Sequence, residues 1–226
     1  MSRFLSIRTW TAAFLISVSV CVVRHGVTVV AFSIDESFSS KGEIRQKIAP
    51  YREYRMTATV ADKVLLALAS DEAVPERIKL VSSALAHAPL SSAEWLELSQ
   101  ARLVAGLPPE KIFAALALSN LTGPNESYLM AHRAVFAIPL WISLPPKLQH
   151  SLIADMVSGG FAGMTAEMRS TIRFVLSQSN DRAREEMRAA LLLNGKKGVE
   201  ISESLGLEPA NTRSRAVPAN SSDMVQ

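Results

Sequence analysis

Apolar residues recur at helical spacing along most of this chain. Met56, Val60, Val64 and Leu68 are four residues apart, which places them on one side of an α-helix. Similar stripes follow as far as residue 194, and each ends near a proline or glycine, residues that break helices. The pattern predicts an all-α protein with about eight helices joined by short loops, and short loops make neighbouring helices pack antiparallel.

Prolines, glycines and capping residues set the predicted boundaries. The first helix after the N-terminal segment should run from Glu43 to Ala69, with a bend or a boundary near Pro50, and the next should begin at Pro75. Ser91 and Glu94 match a capping box at the start of another helix. Further breaks are predicted at Gly106, Pro108-Pro109, Gly123-Pro124, Pro139, Pro145-Pro146, Gly159-Gly160 and Asn194-Gly195.

The N-terminal segment is almost continuously apolar from Trp10 to Ile34, with Arg24 as its main interruption. A helix of this length would reach roughly 37 Å, enough to cross a bilayer. The residues allow three interpretations. We favour a retained transmembrane helix over a signal peptide cleaved after Ala31, and both over a lipoprotein anchor at Cys21.

The charges flanking this segment give conflicting topology signals. Arg3 and Arg8 precede it, whereas four basic residues of the stretch Lys41–Arg55 follow it closely, which favours a cytoplasmic C-terminal side. The short N-terminal tail and the acidic Asp35 favour the opposite orientation. We expect a single-pass protein of the inner (plasma) membrane with a periplasmic helical domain.

Composition supports three regions: an anchor or signal segment (1–36), a helical domain (43–194) and a disordered tail (208–226). The chain is 48% hydrophobic and 20% charged, which suits a folded core, whereas the tail is polar and lacks periodicity. The net charge of +3 is small and evenly spread, so nucleic acid is not an expected partner. The basic stretch Lys41–Arg55 suits a membrane surface, or simply a solvated helix face.

A weak internal repeat appears when Ala84–Val104 is shifted by 33 residues onto Ala117–Ala137. It pairs Trp95 with Tyr128 and Leu96 with Leu129, and this period is typical of tetratricopeptide helix pairs. The match is degenerate, since Ser99 and Arg102 replace the expected glycine and aromatic residue. A short tetratricopeptide-like solenoid and an irregular helical bundle both remain open.

No motif for catalysis, a cofactor or a metal is recognised in the sequence. The four histidines have no metal-binding spacing, and the glycine cluster from Gly159 to Gly163 lacks the lysine of a phosphate-binding loop. We therefore predict a protein that is not an enzyme and has no cofactor or small-molecule substrate. Trp95, Tyr128 and Trp141 are the candidate residues of a partner groove, although aromatic residues in such positions more often fill contacts between helices.

Two short sequence segments resemble known proteins. They are Ala88–Leu96, with the sequence APLSSAEWL, and the region from Ala115 to Pro124. They are similar to single-span, helix-rich envelope proteins of alphaproteobacteria associated with surface-polysaccharide production. The resemblance covers the middle third of the chain. It implies a membrane-anchored interaction or scaffold protein, accessory to polysaccharide assembly or export, whose partner is another envelope protein. An enzyme acting on an envelope glycan and a small membrane-organising subunit are the alternatives.

Overall fold

The computed structural model describes residues 2–38, 41–54, 57–68 and 73–207. These residues form helices and contain no β-strand, so the all-α prediction is confirmed for them. The chain divides into two compact units, Met1–Pro89 and Leu90–Gln226, and the division falls inside the predicted 43–194 domain. The tail predicted to be disordered, 208–226, lies outside the described residues.

The described residues of unit 1 form four α-helices and one short 3₁₀ helix, Ala49–Glu53. The segment predicted as a helix from Glu43 to Ala69 is interrupted at Pro50, where the sequence predicts a bend or a boundary: the α-helix ends at Ile48, and Pro50 lies in the 3₁₀ segment. Proline cannot donate a backbone hydrogen bond and therefore fits the first turn of the 3₁₀ segment better than a helix interior. The helices are α1 (Ser2–Phe38), α2 (Lys41–Ile48), α3 (Ala58–Leu68) and α4 (Val74–His87).

The C-terminal end of α1 packs on the rest of unit 1. The Phe32 ring meets the Tyr51 ring edge to face at 5.3 Å, and the Tyr51 hydroxyl donates a 2.7 Å hydrogen bond to Asp35. Phe32 is buried with Ile44, Ile48 and neighbouring apolar residues. These contacts hold α1 in helical form through Phe38.

Along the rest of its described length, α1 exposes apolar side chains on every side, from Phe14 to Ile34. Among the helices of the described part of the chain, none combines the length and the apolar character needed to cross a membrane.

Between Leu90 and Leu207, the part of unit 2 that the structure describes, there are seven α-helices. Most begin where the sequence predicts, at Pro109 and Pro146 for example, because proline fits the first helical turn. The helices are α5 (Ser92–Val104), α6 (Pro109–Thr122), α7 (Ser127–Ala137), α8 (Pro146–Asp155), α9 (Ala166–Gln178), α10 (Asp181–Leu192) and α11 (Gly195–Ser204).

Helices α5 and α6 pack antiparallel, as short loops require. Ser92 bonds with Ser119, and the Ser99 hydroxyl donates to the carbonyl of Ile112 at 2.9 Å. The Ser92–Ser119 contact joins the start of α5 to the end of α6. The Ser99–Ile112 contact joins the middle of α5 to the start of α6, nearer the connecting loop. Ser99 is fully buried, so its small side chain allows this close helix approach.

Three elements of unit 2 differ from the predictions. A 3₁₀ helix, Ile138–Ser143, follows α7, and a π-helical turn, Met156–Gly160, follows α8. Beyond the predicted end of the domain at residue 194, Gly195 adopts a φ of +63°, which glycine does without steric cost. The chain then continues into α11, whose Ile201 joins the core of unit 2.

Candidate functional site

Arg133 lies at the centre of a buried polar network in unit 2. It occupies α7 among Met130, Ala134 and Ala137, all of which face the core, and only 2% of its surface is exposed. Burying a guanidinium is costly unless its donors are paired. The nitrogens of Arg133 accordingly donate to Asp155 (2.8 Å), Gly123 O (3.1 Å), Ser119 O (3.3 Å) and Ser92 Oγ (3.3 Å).

Asp155, the last residue of α8, is the acidic partner in this network. The amide nitrogen of Asn120 donates to both carboxylate oxygens, at 3.1 and 3.2 Å. Burial raises the pKa of Asp155 above its ordinary value, while the hydrogen bond from Arg133, the charge of Arg133 and the Asn120 bond each lower it in part. Arg133, Asp155 and Asn120 therefore join α6, α7 and α8.

The space beside this ion pair is too small for a substrate. A cavity of about 10 Å³ lies against Asn120, Arg133 and Asp155, and a volume of that size holds about one water molecule. Although a carboxyl group with a raised pKa is a common mark of an active site, structural ion pairs also perturb pKa values. Here the geometry favours a structural role, in which the network fixes three helices.

A larger surface groove adjoins that cavity, because the two spaces share lining residues, among them Asn120 and Ser151. We call it the α6/α8 groove. It has a volume of about 970 Å³, in the range of roughly 300–1,000 Å³ that ligand sites occupy. Its remaining lining residues are Pro109, Glu110, Phe113, Ala114, Ala117, Leu121, Ser143, Pro145, Lys147 and Leu148.

The lining of the groove is mostly apolar, and Asn120 and Ser151 add polar groups at its base, where it adjoins the inner cavity. Leu121 is 73% exposed and Phe113 is buried at 8%, so the α6 wall presents apolar surface at two depths. Exposed Ala114 and Ala117 leave room between them for an occupant. A preformed apolar groove with a few polar groups at its base is the usual form of a binding site.

The three aromatic residues predicted to line a partner groove are not among the residues that line this one. Trp141 is buried at 3% in the core of unit 2, which is the packing role that the sequence allowed as an alternative. Tyr128 is 67% exposed and stacks on His132 with ring centroids 4.0 Å apart. Trp95 is half-buried. A surface role for Tyr128 and Trp95 stays a prediction.

A second buried carboxylate, Asp62, links three elements of unit 1 through hydrogen bonds. It is fully buried and accepts hydrogen bonds from Arg52 Nε (2.6 Å) and Ser83, with His87 Nδ1 at 2.7 Å. The cluster joins the 3₁₀ segment, α3 and α4. A carboxylate holding an imidazole also occurs in enzymes, but here Arg52 neutralises the carboxylate and Ser83 bonds to Asp62 rather than to His87.

Sequence reasoning missed both buried ion clusters, although each left a signal. Asp62 and Arg133 interrupt apolar stripes: Asp62 follows Ala58 by four residues, and Arg133 precedes Ala137 by four. A charged residue in such a position faces the core and needs a partner. Their partners could not be predicted, because these residues are distant along the chain.

No group of three or more His, Cys, Asp or Glu residues in the described ranges is placed to hold a metal ion. Glu94 and His132 each contact a neighbouring residue of unit 2. Glu94 is buried and bonded by the Ser91 hydroxyl, and His132 Nδ1 lies 2.9 Å from the carbonyl of Tyr128.

Comparison with protein-family models, with curated proteins and with solved structures gives no match for this chain.

Proposed function

We propose that this protein is a membrane-anchored, non-enzymatic interaction protein that docks a partner protein in the α6/α8 groove of unit 2. The observation that carries the proposal is the groove itself. It is open and mostly apolar, has a volume of about 970 Å³, and lies on helices fixed by the Arg133–Asp155 network. The sequence resemblance adds the expectation that the partner belongs to envelope polysaccharide assembly or export.

The membrane part of the proposal is supported by α1. Its exposed side chains at Phe14, Leu15, Ile16, Val22 and Val27 are all apolar and lie on different sides of the helix. Apolar surface of this extent needs cover, and a lipid bilayer supplies it on all sides at once. A single pass through the inner membrane, with the helical units in the periplasm, is the specific arrangement we propose.

Flotation of the full chain with lipid vesicles tests this attachment, since aggregates sediment while vesicle-bound protein floats. We expect the unaltered chain to float and a Val22→Glu/Val27→Glu variant to stay at the bottom of the gradient. Phe174→Glu is the matched control, because Phe174 is equally exposed (67%) but lies on α9. An unaltered chain that remains at the bottom contradicts membrane attachment.

Photo-crosslinking tests docking. A benzoylphenylalanine at Ala117 lies in the groove, whereas the same residue at Phe174 replaces an exposed aromatic elsewhere. In cells that make the full chain, we expect one discrete adduct from position 117 and none of the same size from position 174. The adduct should disappear when Leu148→Glu places a charge in the groove and far-UV circular dichroism stays unchanged. An identical adduct from both positions, or one insensitive to Leu148→Glu, contradicts the proposal.

A further inference from the structure

The base of the α6/α8 groove holds two hydrogen-bonding groups whose capacity is not fully used by the residues that the structure describes. Because Asn120 Nδ2 donates to both oxygens of Asp155, the amide is fixed, and its Oδ1 accepts no hydrogen bond from the described residues. The Ser151 hydroxyl, on the α8 side, likewise has no partner within the described ranges. The groove therefore offers one fixed acceptor and one hydroxyl that can donate or accept.

These groups fit an extended peptide better than a helix. An extended chain has backbone N–H and C=O groups free to pair with Asn120 and Ser151, whereas a helix has already paired its own. The α6 wall from Glu110 to Leu121 rises roughly 16 Å at about 1.5 Å per residue. That distance corresponds to about five residues of extended chain at ~3.3 Å each.

The two walls also carry one charge each. Glu110 on α6 and Lys147 on α8 are exposed, and neither forms an ion pair among the residues that the structure describes. An occupant with a basic side chain towards α6 and an acidic one towards α8 would satisfy both. Alternate side chains of an extended chain point to opposite sides, so one short segment can supply the two charges.

We infer that the α6/α8 groove binds an extended segment of about five residues from a partner protein, through backbone hydrogen bonds to Asn120 and Ser151. The segment places apolar side chains between the walls, a basic one by Glu110 and an acidic one by Lys147. This inference rests on the proposed docking function and adds the conformation and chemistry of the docked segment.

Selection from a library of random twelve-residue peptides displayed on phage tests this inference against the full chain. The enriched peptides should carry apolar residues two apart, with one acidic and one basic residue nearby. Each should bind an Asn120→Ala/Ser151→Ala variant at least about tenfold more weakly. Ser177→Ala, which removes an exposed hydroxyl from α9, is the matched control and should leave binding unchanged.

Charge reversal gives the sharper readout. Repeating the selection on Lys147→Glu should replace the acidic preference with a basic one and keep the other preference, and Glu110→Lys should do the converse. Apolar residues three and four apart in the enriched peptides would show a helical occupant and overturn the inference. So would no enrichment, or equal binding to the Asn120→Ala/Ser151→Ala variant. The docking function is tested separately by crosslinking from position 117, so the two proposals can be refuted independently.

Discussion

The Arg133→Met substitution tests whether the buried network holds unit 2 together. Methionine keeps much of the length of the arginine side chain but removes every donor. Asp155 would then keep only the Asn120 amide as a donor among the described residues, and the carbonyl of Gly123 would lose its bond from Arg133. The carbonyl of Ser119 would still accept from Ser92 at 2.6 Å.

Removing one partner of a buried ion pair costs about 3–5 kcal/mol, because the other charge stays buried without compensation. Arg133 and Asp155 are 2% and 7% exposed in their side chains, so this estimate applies to them. For a protein of this size each kcal/mol lowers Tm by about 2–4 °C. Arg133→Met should therefore lower Tm by roughly 6–20 °C.

A double variant, Arg133→Met/Asp155→Leu, separates the buried charge from the other losses. With no charge left to compensate, most of the stability should return, since an apolar pair can replace a buried ion pair. A deficit of about 1–3 kcal/mol should remain, because the carbonyl of Gly123 and the amide of Asn120 both lose the partners they have in the unaltered protein. Arg182→Met, which breaks an exposed pair with Glu186, is the control and should not change Tm measurably.

The assay is urea and thermal unfolding of the full chain, followed by circular dichroism at 222 nm. The reasoning is refuted if Arg133→Met costs less than about 1 kcal/mol, the value for an ordinary hydrogen bond. It is also refuted if the double variant is no more stable than the single one.

Three further predictions concern titration and close packing. Burial raises the pKa of Asp155 above its ordinary 3.8, so the native state binds this proton more tightly than the unfolded state does. The free energy of unfolding should therefore fall as pH rises from near 3.8 through the raised pKa. Urea unfolding at several pH values measures this slope. The hydrogen bond to Asp35 is the largest of the effects that raise the pKa of Tyr51 to about 12. The contribution of this hydroxyl to the free energy of unfolding should be fully present below about pH 10 and lost as pH rises through about 12. A Tyr51→Phe variant should lack the high-pH step in tyrosinate absorbance. Gly198→Ala should destabilise the chain by about 1–3 kcal/mol or more, because an added Cβ would lie 1.8 Å from the carbonyl oxygen of Leu191. Gly195→Ala should cost only about 1 kcal/mol, because its Cβ would meet open space and only the φ of +63° is unfavourable. Equal losses of stability for the two variants in urea unfolding would contradict this reasoning.

Helices whose start is fixed by local residues were predictable from the sequence. Pro109 and Pro146 start helices because their rings suit the first turn, and Gly123 ends α6. The helix starting at Ser92 was also found, although Ser91 bonds the Glu94 side chain rather than a backbone N–H of the first turn. In each case the information lies within about four residues.

The elements that were missed depend on contacts between distant residues. Helix α11 forms because Gly198 lets its backbone approach Leu191 closely, and no periodic stripe marks it in the sequence. The groove depends on Asn120 bonding Asp155 across 35 residues, so its lining could not be read from spacing. Trp141, one of the three candidate groove residues, is buried in the packing role that the sequence also allowed, because Ile138–Ser143 continues α7 as a 3₁₀ helix into the core.

Hydrogen exchange of the full chain, with and without a peptide enriched by the selection, most directly tests whether unit 2 is a preformed docking surface. The account predicts slower exchange in residues 109–121 and 143–151, which line the groove, with little change in α9, α10 and α11. Protection confined to those three helices, or spread over the whole unit, would contradict a preformed groove between α6 and α8.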